Sequence, residues 1–232
     1  MMRIITLPTV FLSLLFIGVA DTRAQDPPEF KMPCPQVLQL GLNKFMNAYG
    51  EKTGDYSTYG QKQAFSYYVD CRRPENDKLA SQLSEARRLQ VDTVRDELQK
   101  IGDASWSNAY LVAGGGTLYG LASVGAYAER EDFITALIKD LKLERSQRAA
   151  RRSANASLAR VRRSLVGISS MPDLAEWDEE SRPRHAELYR TNINSIEDAV
   201  TVLTKLIRIL PDRAARQVAR KMDGELSAGI EE

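Results

Sequence analysis

From Ala104 to Ala128 the chain runs for twenty-five residues without a single charge. Asp, Glu, Lys and Arg make up 27% of the sequence, so a gap of this length needs a physical cause. Its side chains must leave bulk water, either in a protein core or in lipid. Within it, residues 109–128 hold five Gly, five Ala and three Tyr, and few large aliphatic groups. Gly116 and Gly120 are four apart, so on a helix they share one face and let a second backbone come close. Ala113 and Ser123 extend that face. Each interior glycine costs a helix about 1 kcal/mol, so Gly114, Gly115 and Gly116 together are also a candidate break between two helices. The reading preferred is a closely packed helix, or helix pair, in a bundle. The alternatives are a membrane span at 109–128 and an irregular glycine-rich loop.

Export bears on how the rest is read. Arg3 gives a short positive start, Ile4 to Ala20 is mostly apolar, and small residues follow at Gly18-Val19-Ala20 and Thr22-Arg23-Ala24. This is the pattern of a signal peptide over residues 1–24, cleaved after Ala24 or after Ala20. An uncleaved anchor is the alternative. No cysteine stands at either junction, which argues against lipoprotein processing. The two cysteines, Cys34 and Cys71, are an even pair, and in an oxidising compartment they are expected to form a disulfide.

Apolar periodicity predicts helices throughout. One is expected from Gln36 to Tyr49 with Gly50 as its cap, then a polar turn over Glu51 to Gly60. A short helix from Gln61 to Cys71 completes a disulfide-stapled hairpin. Asn76 is a good N-cap for the clearest stripe, Leu79, Leu83, Ala86, Val94, Leu98 and Ile101, which Gly102-Asp103 should close. Ser105 or Ser107 would cap the uncharged stretch. Glu129 to Asp132 reads as the acidic first turn of a further helix. Gly167 to Asp173 reads as a linker. Asn194 with Glu197 reads as a capping box, Pro211 as a stop, and Asp212 as the start of a last helix. No segment alternates as a strand does. The fold class expected is all-α, a helical bundle over 25–168 with a C-terminal helical segment, 169–232, packed on or beside it.

For function the sequence offers mainly exclusions. Net charge is +1, so no global field draws in nucleic acid. The single histidine, His185, rules out a multi-histidine metal site. The glycines near 114–120 lack the Lys-Ser/Thr of a phosphate loop. The acidic run Glu176 to Glu180 reads as solvated surface. Asn155-Ala156-Ser157 is a glycosylation sequon, meaningful only in a eukaryotic host. No catalytic set, cofactor motif or metal set is found, and an enzyme is the less favoured reading. The one surface that suggests a partner is Glu144 to Ser164, with seven Arg against one acid. Arg151, Arg152, Arg162 and Arg163 are its proposed anion-facing residues. They would either pair with Asp173 to Glu180 or recruit an anionic surface or acidic protein. The expectation is an exported, secreted or periplasmic, non-enzymatic binding or accessory protein of scaffold, chaperone or inhibitor type. It would work with a protein partner or by self-association. The alternative is a single-span membrane protein whose basic flank, residues 129–163, lies in the cytoplasm.

Overall fold

The structure is a computed structural model that describes residues 30–113, 117–142, 151–169 and 178–227. Among these residues all regular structure is helical: α1 Cys34–Leu40, α2 Leu42–Thr53, α3 Thr58–Ala80, α4 Glu85–Ala113, α5 Thr117–Lys142, α6 Arg151–Ser169, α7 Arg182–Ile207 and α8 Asp212–Ser227. The expected disulfide joins Cys34 to Cys71, with Cα atoms 5.1 Å apart. It staples α1 to α3. The expected leader at 1–24 lies outside the described residues.

Two apolar cores form. The smaller gathers Met32, Val37, Phe45, Ala64, Tyr68, Val69 and Cys71 from the N-terminal helices and Ala128 from α5. Phe30, Tyr49 and Tyr67 ring Phe45 at centroid distances of 5.8, 6.1 and 5.9 Å, edge-on or stacked as aromatic quadrupoles prefer. The larger core takes Val91, Val94, Leu98 and Ile101 from α4, Ile134, Leu137 and Ile138 from α5, and Val161 from α6. Ile196 and Leu203 of α7 and Val218 and Met222 of α8 close it. Residues on both sides of position 169 therefore share one core. α4 lies along α7, α3 along α5, and α6 along α8.

Several expected boundaries move. The first helix is two, because Gly41 takes φ 72°, a left-handed conformation that side chains resist. Gly50 is interior, and Gly54, with φ 69°, caps α2 through its N–H to Gly50 O at 2.8 Å. α3 does not stop at Cys71 but continues through Pro74 to Ala80. Pro74 is exposed, so the carbonyl that loses its N–H partner has water at hand. Asn76 is consequently no cap: it is fully buried inside α3. The break comes at residues 81–84 instead. α4 passes straight through Gly102-Asp103, Ser105 and Ser107. Glu129 to Asp132 lie in the middle of α5 rather than at a helix start. α6 runs past Gly167, and α7 begins at Arg182 with Pro183 in its first turn, leaving Asn194 interior. The stop before Pro211 and the start at Asp212 are as expected. The uncharged stretch is divided between the end of α4 and the first half of α5. Among the described residues no helix is long and apolar enough to cross a membrane.

Candidate functional site

α6 carries its apolar stripe as Ala154, Leu158, Val161 and Leu165, at spacings of three and four, with the buried Ser157 on the same face. The edge of that stripe, Asn155, Leu158, Ala159 and Arg162, forms one wall of a groove of about 450 Å³. Thr204 and Ile207 from the end of α7, with Arg208 and Leu210 from the turn that follows, form the second wall, and Asp212 and Ala215 from the start of α8 the third. Its volume falls within the range of small-ligand sites. The floor is apolar, through Leu158, Ile207, Leu210 and Ala215. At the rim stand two exposed guanidinium groups, Arg162 and Arg208. Neither has an ion-pair partner among the described residues.

α8 is held in place by ionic contacts at both ends. Arg213 Nε lies 3.0 Å from Asp140 Oδ1 of α5. Arg160 Nε donates to Asp223 Oδ2 at 3.1 Å, and Ser164 donates to the other oxygen at 3.3 Å, which ties α8 to α6. Deeper, Arg130 makes a bidentate contact with Glu225, both bonds at 3.0 Å, and also donates to Gln99. Both partners are almost wholly buried, a setting in which such a fork is strong. Lys221 adds a further contact to Glu225 at 3.2 Å.

The polar web continues along α5. Glu131, fully buried, accepts from Asn76 Nδ2 at 2.8 Å and lies 3.3 Å from Arg95 Nε. Thr135 donates to Asn76 Oδ1 at 2.6 Å, and Arg95 reaches on to Asp77 at 3.0 Å. Tyr68 donates to Asp132 at 2.7 Å and accepts from Arg72 at 2.6 Å. Burial pushes the Tyr68 phenol up to about 12, with Asp132 adding to the rise and Arg72 opposing it, so it stays a donor across the working range. These groups pair mainly with one another, and Arg72 and Thr135 also border an open cavity of about 710 Å³ beside the disulfide.

The residues singled out from sequence scatter. Of the basic four, Arg162 lines the groove and Arg163 is exposed one residue further on. The helix includes Arg151 and Arg152, whose side chains lie outside the described set. Compensation by Asp173 to Glu180 falls mostly outside the described residues. The acid that does meet α6 is Asp223, and Asp178 is occupied in accepting from Ser181 N at 2.7 Å. That bond, with the Ser181 hydroxyl, holds the Asp178 carboxyl below its ordinary value. Gly116 lies outside the described residues. At Gly120 a β-carbon would meet only the end of the Lys62 side chain, with Nζ at 2.8 Å. The glycine packed against buried groups is Gly102, read from sequence as a helix stop. Asn155 is exposed, and His185 is half-buried in the first turns of α7. No group of three or more His, Cys, Asp or Glu suited to a metal occurs among the described residues. Arg208 was missed by the sequence reading, since a lone arginine before Ile-Leu-Pro carries no periodic or compositional signal. Compared with known proteins, the chain matches no family model, no curated protein and no solved structure.

Proposed function

We propose that the chain is an exported, non-enzymatic binding or accessory protein that receives an anionic group in the groove between α6, α7 and α8. The observation that carries this reading is the pair Arg162 and Arg208 at the rim of an apolar floor. Arg72, Arg95, Arg130, Arg160 and Arg213 each have a carboxylate within 3.3 Å. The two groove arginines stand apart from that pattern. A carboxylate or phosphate bridging them would gain charge-assisted, planar hydrogen bonds, while its apolar portion covered Leu158, Ile207 and Leu210. Asp212 opposes a multiply charged anion, which favours a partner with one charged end and an apolar body. The disulfide and the leader-like N-terminus support an oxidising compartment.

The test uses the chain from residue 25 onward. It is titrated against phosphatidylcholine vesicles with and without phosphatidylglycerol, and against a fluorescent Glu- and Leu-containing peptide. Binding to an anionic probe should fall about tenfold or more in the Arg162→Glu/Arg208→Glu variant. It should also weaken in about 1 M salt, where the Debye length is roughly 3 Å. Both side chains are exposed, so helical content should not change. Equal binding by the variant, or no binding of any anionic probe, would remove the groove as the receiving site.

A further inference from the structure

We propose that the corner between α2 and α3 is a second binding site, for a saccharide, with the Tyr56 ring as its stacking platform. Tyr56 is 64% exposed, yet its ring does not stand free. It lies on the bare backbone of Gly50: a β-carbon there would sit 2.5 Å from Tyr56 Cε1. One side of the ring is thus covered by α2 while the tyrosine as a whole remains open to solvent. The loop behind it is tied down residue by residue. Asp55 N donates to Thr53 Oγ1 at 3.2 Å, and Ser57 N to Asp55 Oδ1 at 2.9 Å. Gly60 N donates to Ser57 Oγ at 3.1 Å, and Gln61 Nε2 to Tyr56 O at 3.1 Å. Gly60 also lets the loop lie against α3, since a β-carbon there would fall 2.5 Å from Asp55 Cγ. Such a platform is held before any ligand arrives, so little ordering remains to be done on binding.

Beside the ring is a cavity of about 250 Å³, and its lining mixes donors and acceptors. Asn47 supplies both, and the Asp55 carboxylate is an acceptor. Hydrogen bonds from Ser57 hold the Asp55 carboxyl below its ordinary range, so it is ionised at neutral pH. Burial, then the neighbouring Asp55 charge, holds the Tyr49 phenol above its ordinary value, so it remains a donor. An aromatic plane next to paired donors and acceptors matches a pyranose, which has a C–H face and a rim of hydroxyls that both give and accept. The carboxylate disfavours anions, so this corner and the arginine groove select opposite chemistries. The amide of Asn47 distinguishes it from a cage for a quaternary ammonium, where polar donors gain nothing.

The probes are a fluorescently labelled full chain on an array of immobilised glycans, followed by titration of the strongest hit by calorimetry. Tyr56→Ala should lower affinity about tenfold or more, the equivalent of one good ring contact. Tyr56→Phe keeps the ring on Gly50 and should retain most of the binding. Asp55→Asn should weaken binding while leaving the array preference recognisable. The Arg162→Glu/Arg208→Glu variant should bind glycans normally, which separates this site from the groove. The proposal is overturned if no glycan binds above background, if Tyr56→Ala binds as well as the parent, or if tetramethylammonium binds at the corner in place of sugars.

Discussion

A β-carbon at Gly102 would fall against the Arg130 guanidinium and 2.7 Å from Glu225 Oε2. In an exposed helix interior, Gly→Ala is stabilising by about 1 kcal/mol. Here the neighbours are a buried ion pair fixed from several sides, so they cannot swing away as a free lysine end can. Gly102→Ala is therefore expected to destabilise the chain by about 1–3 kcal/mol. Gly224, interior to α8 with nothing within 4 Å of its added carbon, is the matched control. Gly224→Ala should stabilise by about 0.5–1 kcal/mol. Thermal melts of the two variants should shift in opposite directions, and a rise for both would mean that Gly102 is not tightly enclosed. The sequence showed Gly102 only as a glycine before an aspartate at the end of a stripe. Its partner Arg130 lies on the next helix, and no linear spacing reveals which residue a helical glycine faces. The Cys34–Cys71 pairing was legible because a chain with two cysteines allows only one intramolecular bridge.

At the scale of helices, types were legible and most ends were not, the stop before Pro211 and the start at Asp212 excepted. Apolar stripes such as Val94, Leu98 and Ile101 or Ile196, Val200 and Leu203 identify helices whatever their tertiary setting. Ends were misjudged where tertiary contacts override local signals. Asn76, a favourable cap residue, is satisfied by Glu131 and Thr135 instead, so α3 can run past it. Glu129 to Asp132 resembled an acidic first turn, yet Arg130 and Glu131 are among the most buried residues. A trace of this was present in the spacing. Ala128, Glu131, Thr135 and Ile138 share one face, and Arg130, Ile134, Leu137 and Leu141 another, so charged residues occupy apolar-stripe positions. The Arg130–Glu225 pair gives the test of what these groups do between elements. Arg130→Met alone leaves the buried Glu225 carboxylate with the Lys221 ammonium as its remaining cation and should cost up to about 3–5 kcal/mol. Arg130→Met with Glu225→Leu removes both charges and should cost much less than the two single losses added together. Denaturant titrations of all four proteins measure the coupling. Additive losses would show that the pair is not what joins α5 to α8.

For the whole molecule, the two cores and the polar web between them determine how damage spreads. The disulfide closes a loop with a sequence separation of 37, and the chain-entropy model assigns such a loop about 4 kcal/mol. That stabilisation acts on the smaller core, where Val37, Phe45, Tyr68 and Val69 meet. The larger core draws its residues from α4 through α8, together with Ala80 at the far end of α3. α5 belongs to both, with Ala128 in one and Ile134, Leu137 and Ile138 in the other. Between them, Asn76, Glu131, Arg95 and Thr135 form a buried polar joint that links α3, α4 and α5 without using the disulfide. Reduction should therefore loosen the chain from its N-terminal side and stop at that joint. Hydrogen exchange on the reduced protein is expected to quicken across α1, α2 and the first half of α3, up to about Cys71. Protection in α7 and α8 should hold, because neither helix contributes to the smaller core. Arg95→Leu removes the joint's cation and leaves Glu131 buried beside Asn76 alone, so in that variant reduction should carry faster exchange into α4 and α5. If reduction alone exposes α7 and α8 as quickly as α1, the cores unfold as one unit and the joint does not insulate them.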